Sequence, residues 1–435
     1  MCDIIHLKAP VGTWINDPNG FIYYKGEYHL FYQTFPYAPI WGRMHWGHAV
    51  SRDLIHWEHK GIALFPSKTD DRSGCFSGSA IEHNGKMYLY YTGVNYFREN
   101  PENINHTVDD GFISAQLMIT SDDGYSFDNF DSKKTVIPPI ADKSIGDETH
   151  TRDPKVWQGK DGNWYMVMGT SVNHRGRLIF YKSSDLENWE YVNYCEKDNL
   201  GWMWECPDYF EVNGQSIVIF SPMKFINDGL QYDSATVCYK ANFEEKTCTM
   251  TISEKYQFLD YGFDLYASQS TLDKDGRRII VAWLRMPERM DNNRIGMMSM
   301  PRVVEIENGH IYFRPHPDIA SRFTKEISAL SKAEDTCCKI SAKLENGEKI
   351  NIGGYVIARE NDKIYADRSA VNAGHEEIRS KFETPKLSGG NTLDIYVDKN
   401  IIEVYINDGE YVITNAVYGL SDEISGKDCK IYTIE

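Results

Sequence analysis

Three carboxylates stand in distinctive local company: Asp17 in WINDPNG, Asp153 in TRDPKVW and Glu205 in WECPDYF. A pair of carboxyl groups held close together can cleave a glycosidic bond. One attacks the anomeric carbon or activates water, and the other protonates the leaving oxygen. Each residue also has an ordinary reading. Asp-Pro-Asn-Gly is a strong β-turn, Arg152 and Asp153 can form a local ion pair, and Glu205 can be a strand-end carboxylate. The two readings differ in whether the fold brings the three groups together.

The surrounding pattern predicts that it does. A turn, a short apolar run, a Gly-containing turn and an alternating aromatic-aliphatic run recur five times, from Asp17, Ser77, Arg152, Cys206 and Ser268. Each copy reads as a β-hairpin. A second motif lies between copies: SRDLIHW from Ser51, SDDGYSF from Ser121 and SSDLENW from Ser183. Its Ser and Asp can close a turn on their own backbone, leaving the aromatic to pack on the next strand. Two hairpins per unit and five units predict a five-bladed β-propeller. Helical periodicity is nearly absent. The positions opening each unit gather at one central channel in such a fold. They hold Asp17, Phe76-Ser77, Arg152-Asp153, Glu205 and Tyr266 to Gln269. Like charges converging there cost stability, which favours function over structure.

The repeat ends between Pro301 and His316. The run LDIYVDKNIIEVYINDGEYVIT from Leu393 alternates apolar and polar residues across two turns. It predicts a C-terminal β-sandwich. The expected organisation is all-β, with a propeller over residues 1–310 and a sandwich over 320–435. The polar stretch Asn95 to Asp110 reads as the least ordered part of the chain.

Composition narrows the function. With 63 acidic against 46 basic residues, the net charge is -17. No basic run is present, which argues against nucleic acid and anionic membranes as partners. No apolar stretch is long enough for a spanning helix. Met1 to Pro10 has no basic start followed by an apolar block, so a cytoplasmic location is expected. Nine scattered cysteines without a C-x-x-C pair read as reduced thiols. His45 to His48 and His56 to His59 are not the helical pattern of a zinc site, so no metal is expected. No phosphate-cradling Gly-rich loop appears, and no cofactor is expected. Asn105-His-Thr is a sequon that reads as loop.

The motifs resemble glycoside hydrolase family 32, the invertase and fructanase family. WINDPNG carries the likeness first, with Ile15 where Met is commoner in the family. The likeness continues through YHLFYQ ending at Gln33, WGRMHWGHAVS from Trp41, CFSGSA from Cys75, TRDPKVW and WECPDYF. YGFDLYASQ from Tyr261, AWLRM around Trp283 and VDKNIIEVYINDGE from Val397 complete it. The order is right over nearly the whole chain. Only the run Gly296 to Arg302 follows the family loosely.

The resemblance implies a retaining β-fructofuranosidase acting through a covalent fructosyl-enzyme. It makes Asp17 the nucleophile, Glu205 the general acid/base and Asp153 the residue that holds fructose hydroxyls. Cys206 beside the acid is usual for the family. Asp17 must stay ionised, and backbone donors in its turn are expected to help. Sugar contacts are implied at Trp14, Asn16, Gln33, Trp41, Phe76, Ser77, Arg152 and Trp283. These side chains offer fixed hydrogen-bond donors or flat apolar faces to a sugar ring. The implied substrates are sucrose, sucrose 6-phosphate or short fructo-oligosaccharides, and a homodimer through the sandwich is compatible with the family. A phosphate would need basic residues on the leaving-group side, for which Arg43, Lys68, Arg72 and Arg98 are the candidates. Two alternatives stay open. A fructosyltransferase would use the same carboxylates, and a sugar-binding propeller would lack turnover.

Overall fold

The computed structural model describes residues 5–227, 230–232, 235–290, 293–328, 337–372, 374–375 and 378–434. Strands dominate. Each recurring sequence unit begins with an antiparallel hairpin, pairing Trp14–Tyr24 with Glu27–Phe35 and Gly74–His83 with Lys86–Tyr96. The later hairpins pair Arg152–Gln158 with Trp164–Val172, Trp204–Val212 with Gln215–Pro222, and Leu265–Leu272 with Arg278–Leu284. The turns follow from their residues. Lys25-Gly26, Asn84-Gly85 and Asn213-Gly214 have positive φ at both positions, the geometry of a type I′ turn.

Two more strands extend each hairpin into an antiparallel sheet, and the fifth sheet adds a short strand at Met297–Met298. The second motif forms the turn between the third and fourth strands of the first three sheets. Ser51 Oγ accepts from Leu54 N at 2.9 Å, and Asp53 Oδ1 accepts from Ile55 N and His56 N at 3.1 and 2.9 Å. Ser121 with Asp123 and Ser183 with Asp185 repeat this arrangement. The Trp57 and Trp189 indoles then donate to the Leu54 and Leu186 carbonyls, both at 3.1 Å.

The first strands of the five sheets pack in sequence, each against the next, and Leu265–Leu272 returns to Trp14–Tyr24. The N-terminal segment stitches this return. Met298 N donates to Leu7 O at 2.8 Å, and Ile15 N donates to Ile295 O at 3.0 Å. The loosely matching run from Gly296 is therefore held by the chain's own start.

Each first strand carries a register shift at its functional position. The shifts fall between Ile15 and Pro18, Cys75 and Gly78, Arg152 and Lys155, Glu205 and Asp208, and Tyr266 and Gln269. A bulge bends the strand and re-aims a side chain. Asp153, Cys206 and Ala267 hold φ of 66°, 49° and 53° at three of these bulges. Such backbone is costly for a residue with a side chain and persists where packing over-determines it.

Beyond residue 322 lie two sheets. The larger has six strands and contains the predicted run as Thr392–Asp398, Ile401–Ile406 and Tyr411–Ala416. The smaller has five strands, including Lys349–Ile352, Tyr355–Glu360 and Lys363–Asp367. Ile340, Ile395 and Val404 from one sheet share a core with Ile350, Ile357 and Ile364 from the other. That core also reaches Tyr239 and Phe258 of the fourth N-terminal sheet, so the two parts are packed together.

The polar excursion and its sequon depart from expectation, while the cysteines agree with it. The stretch Asn95 to Asp110 is organised, since Glu99–Asn100 pairs with Asn103–Thr107 and places the sequon in a strand. The eight cysteines among the described residues are free thiols, and Cys2 lies outside those residues.

Candidate active site

The bulged first strands converge on a cavity of about 530 Å³. Its lining includes Asp17, Asp153 and Glu205, together with Asn16, Gln33, Trp41, Phe76, Arg152 and Trp283. The fold thus unites nine of the eleven predicted site residues in one wall, although they come from all five sheets.

Asp17 is held by side chains. Ser77 Oγ donates to Asp17 Oδ2 at 2.6 Å and Gln33 Nε2 donates to the same oxygen at 3.2 Å. Asn16 Nδ2 donates to Oδ1 at 3.1 Å. The expected backbone donors are replaced, because the bulge turns the carboxylate away from its own turn and toward neighbouring strands. Burial pushes the Asp17 carboxyl up, the Ser77 bond pulls it down, and the Glu205 charge pushes it up again.

Cys206 links two of the carboxylates. Its thiol lies 3.6 Å from Asp17 Oδ2 and 3.6 Å from Asp153 Oδ2, and its backbone N–H donates to Asp153 Oδ2 at 2.8 Å. Burial and the three surrounding carboxylates push this thiol well up, so it stays protonated and can donate. Burial also pushes Asp153 up. Arg152 opposes the shift while Glu205 and Asp17 add to it, and the carboxyl comes to about 7.

Glu205 is gripped on both oxygens. Arg152 donates to Oε1 from Nε at 3.0 Å and from Nη2 at 2.8 Å. The Tyr266 hydroxyl donates to Oε2. Burial raises the Tyr266 phenol far above its ordinary range, and Glu205 raises it further, so it remains a donor. One guanidinium among three carboxylates leaves the floor short of positive charge. The Asp17 and Asp153 carboxyls are both raised in this setting.

Two predicted contacts take other positions. Ser77 is fully buried, so its hydroxyl serves Asp17 and Gln33 rather than a ligand; Gln33 Nε2 donates to it at 2.5 Å. Trp14 lies outside the cavity lining. Its indole donates to Asn16 Oδ1 at 2.9 Å and its ring meets Trp283 at 6.0 Å. Both residues position other site residues.

Sequence reasoning missed much of the mouth. Tyr96, His106, Thr107, Asp110 and Phe112 line it, from the organised excursion and the strand after it. His150, Trp202 and Met223 line it from loops that flank the first strands of the third and fourth sheets and the second strand of the fourth. The signal was available in part, because Asn95 to Asp110 interrupts a unit whose first strand opens on the cavity. The paired histidine motifs do not converge. His48 stacks on Phe31 at 4.3 Å, His45 Nδ1 faces the Arg43 carbonyl at 2.9 Å, and His59 Nδ1 meets the Tyr32 hydroxyl at 2.8 Å. Among the described residues, no cluster of His, Cys, Asp and Glu is arranged to hold a metal.

Models of the glycosyl hydrolases family 32 N-terminal and C-terminal domains match residues 6–315 and 310–430. The chain belongs to glycosyl hydrolase family 32. Among its family 32 relatives, a sucrose-6-phosphate hydrolase from Zymomonas mobilis is 33% identical over 470 residues, covering 96% of this chain and 87% of that protein. The structure of a sucrose-6-phosphate hydrolase from Lactobacillus gasseri superposes with a TM-score of 0.84 at 27% identity, covering 99% of this chain and 93% of the other. A family 32 β-fructofuranosidase from Bombyx mori gives a TM-score of 0.83 at 29% identity, with the same coverages of 99% and 93%. Among the described residues of this family 32 chain, no helix is long and apolar enough to cross a membrane.

Proposed function

We propose that this family 32 chain is a retaining β-fructofuranosidase that releases fructose from sucrose or sucrose 6-phosphate. The observation that carries the reading is the floor of the cavity, where Cys206 ties Asp17 to Asp153 and Arg152 grips Glu205. The names of its relatives, sucrose-6-phosphate hydrolase and raffinose invertase, support the substrate class.

In this reading Asp17 attacks the anomeric carbon of the fructosyl unit. Glu205 gives its proton to the leaving oxygen, and a fructosyl ester forms on Asp17. Glu205 then takes a proton from water, which attacks the same carbon from the freed side and restores both carboxyls. Asp153 hydrogen-bonds fructose hydroxyls as charge develops on the ring. Asn16, Gln33 and Arg152 orient the sugar or the carboxylates of Asp17 and Glu205, and Trp41, Phe76 and Trp283 offer the sugar apolar faces. The proton on the Cys206 thiol keeps a donor between the two aspartates.

We read the N-terminal sheets as a five-bladed β-propeller over residues 1–310, with its last strand running to Pro315, and residues 320–435 as a β-sandwich. The contacts between successive first strands support the blade reading. A cytoplasmic location and a homodimer through the sandwich complete the proposal. The test is fructose release by the purified protein from sucrose and sucrose 6-phosphate, with the anomer of the first product followed by NMR. Fructose released with retention supports the reading. Inversion, or no release by the folded protein, overturns it.

A further inference from the structure

Beside the catalytic cavity lies a second one of about 520 Å³, lined by Arg43, Arg72, Tyr96, Phe97 and Glu99. Tyr96 lines both. A fructosyl unit must descend to the carboxylate floor for Asp17 to reach its anomeric carbon. The leaving sugar then lies toward the mouth, where Tyr96 stands. A group projecting from that sugar past Tyr96 meets the two arginines.

Both guanidinium groups are set by backbone carbonyls. Arg72 Nη2 donates to Tyr96 O at 3.0 Å, and Arg43 Nε donates to Ile104 O at 3.1 Å. The Arg43 guanidinium also lies 5.9 Å from the centre of the Tyr96 ring. A guanidinium has five N–H donors in a planar fork, so these bonds leave most of the fork for a ligand. The charges are not equally spent. Arg43 Nη2 donates to Glu99 Oε1 at 2.5 Å, whereas no carboxylate pairs with Arg72 among the described residues. The other two basic candidates lie outside this cavity, and Arg98 pairs with Asp109 at 3.0 Å. An exposed arginine is ordinarily a solvated charge. Here the exposed Arg72 and the half-buried Arg43 line one cavity that shares a wall with the catalytic site, on a chain of net charge -17.

We propose that the Arg43–Arg72 cavity receives the phosphate of a phosphorylated leaving sugar and sets a preference for sucrose 6-phosphate over sucrose. The inference rests on the hydrolase reading above. Arg72 supplies the uncompensated charge. Arg43 joins as the incoming phosphate displaces Glu99, and Asp110, at the mouth of the catalytic cavity, keeps the anion to the arginine side of Tyr96.

The test compares wild type, Arg72→Gln and Arg43→Gln in two assays. The first is the ratio of kcat/KM for sucrose 6-phosphate to that for sucrose. The second is calorimetric binding of glucose 6-phosphate, glucose and inorganic phosphate. Wild type is expected to favour the phosphorylated substrate and to bind glucose 6-phosphate more tightly than either glucose or free phosphate. Loss of one charge-assisted contact in Arg72→Gln should lower the kinetic ratio about tenfold, through KM, and weaken glucose 6-phosphate by a similar factor. Arg43→Gln should lower both by less. A ratio and a glucose 6-phosphate affinity that stay the same in Arg72→Gln would overturn the proposal. Tight binding of inorganic phosphate alone would also overturn it, as a site for the free anion. If wild type cleaves neither substrate, the hydrolase reading fails, and the binding assay still decides whether the cavity takes a sugar phosphate.

Discussion

Ser77 Oγ donates to Asp17 Oδ2 at 2.6 Å from a fully buried position in the neighbouring sheet. This bond lowers the Asp17 pKa against the upward push of burial. Ser77→Ala should therefore raise it and leave less of the Asp17 carboxylate, the proposed nucleophile, ionised in acid. The acid limb of kcat/KM should move to higher pH, with a larger loss at about pH 5 than at about pH 8. A uniform loss at all pH values would assign Ser77 to packing.

Tyr266 and Arg152 hold opposite oxygens of Glu205. Tyr266→Phe keeps the ring and removes the donor to Oε2. We expect kcat to fall by about 10- to 100-fold with a smaller change in KM. An activated aryl leaving group, which needs little protonation, should recover most of the loss. Absence of that recovery would contradict a role for Tyr266 through the acid.

The hairpins and the Ser-Asp turns were legible because their causes are local. Alternation across Asn84-Gly85 and the side-chain to backbone bonds of Ser51 and Asp53 each lie within a few residues. The three carboxylates were legible because they recur at one position of the repeat. The role of Ser77 was not, since only the bulge between Cys75 and Gly78 decides whether its hydroxyl faces the cavity or Asp17. The donors to Asp17 were misjudged for the same reason, as three of them, Gln33, Ser77 and Cys206, belong to other strands. The mouth was not legible either. Asn95 to Asp110 is polar and reads as loop, and its seat over the cavity depends on Tyr96 pairing with Phe112 at the far side of the excursion, which no local pattern announces.

Asp153 is buried, and its carboxyl sits at about 7 in the fold against an ordinary 3.8. A raised carboxyl pKa means that the folded state loses stability as pH rises from 3.8 to about 7. Asp153→Asn should thus melt above wild type by a few degrees at about pH 8, with the gap closing toward about pH 4. The same variant should lose at least about a hundredfold in kcat/KM. Melting curves across pH test the sign, and equal shifts at both ends would contradict it.

His6 joins the chain's start to the C-terminal sheets. Its ring nitrogens meet Asp398 Oδ2 and Glu403 Oε1, each at 2.9 Å. Burial opposes the charged imidazole, but Asp398 and Glu403 outweigh it and raise the His6 pKa above 6.5. That stability is complete below 6.5 and is lost as pH rises through the raised value. Glu403 sits at about 2 against an ordinary 4.5, despite its burial, because Arg302 and His6 pull it down. Its contribution is complete above 4.5 and is lost as pH falls through about 2. His6→Phe should cost on the order of 3 kcal/mol between these limits and less at about pH 9. Denaturant unfolding at several pH values measures this, and a cost independent of pH would contradict the charged pairing.

Asp17 is the residue proposed to carry the fructosyl unit as an ester. Glu205→Gln, mixed with a β-fructofuranoside bearing an activated aryl leaving group, should form the ester and hydrolyse it slowly. Acid quenching, digestion and mass spectrometry should find one fructosyl unit on the peptide containing Asp17 and none on those containing Asp153 or position 205. An adduct on another peptide, or turnover of this substrate by Asp17→Asn at the wild-type rate, would contradict the account.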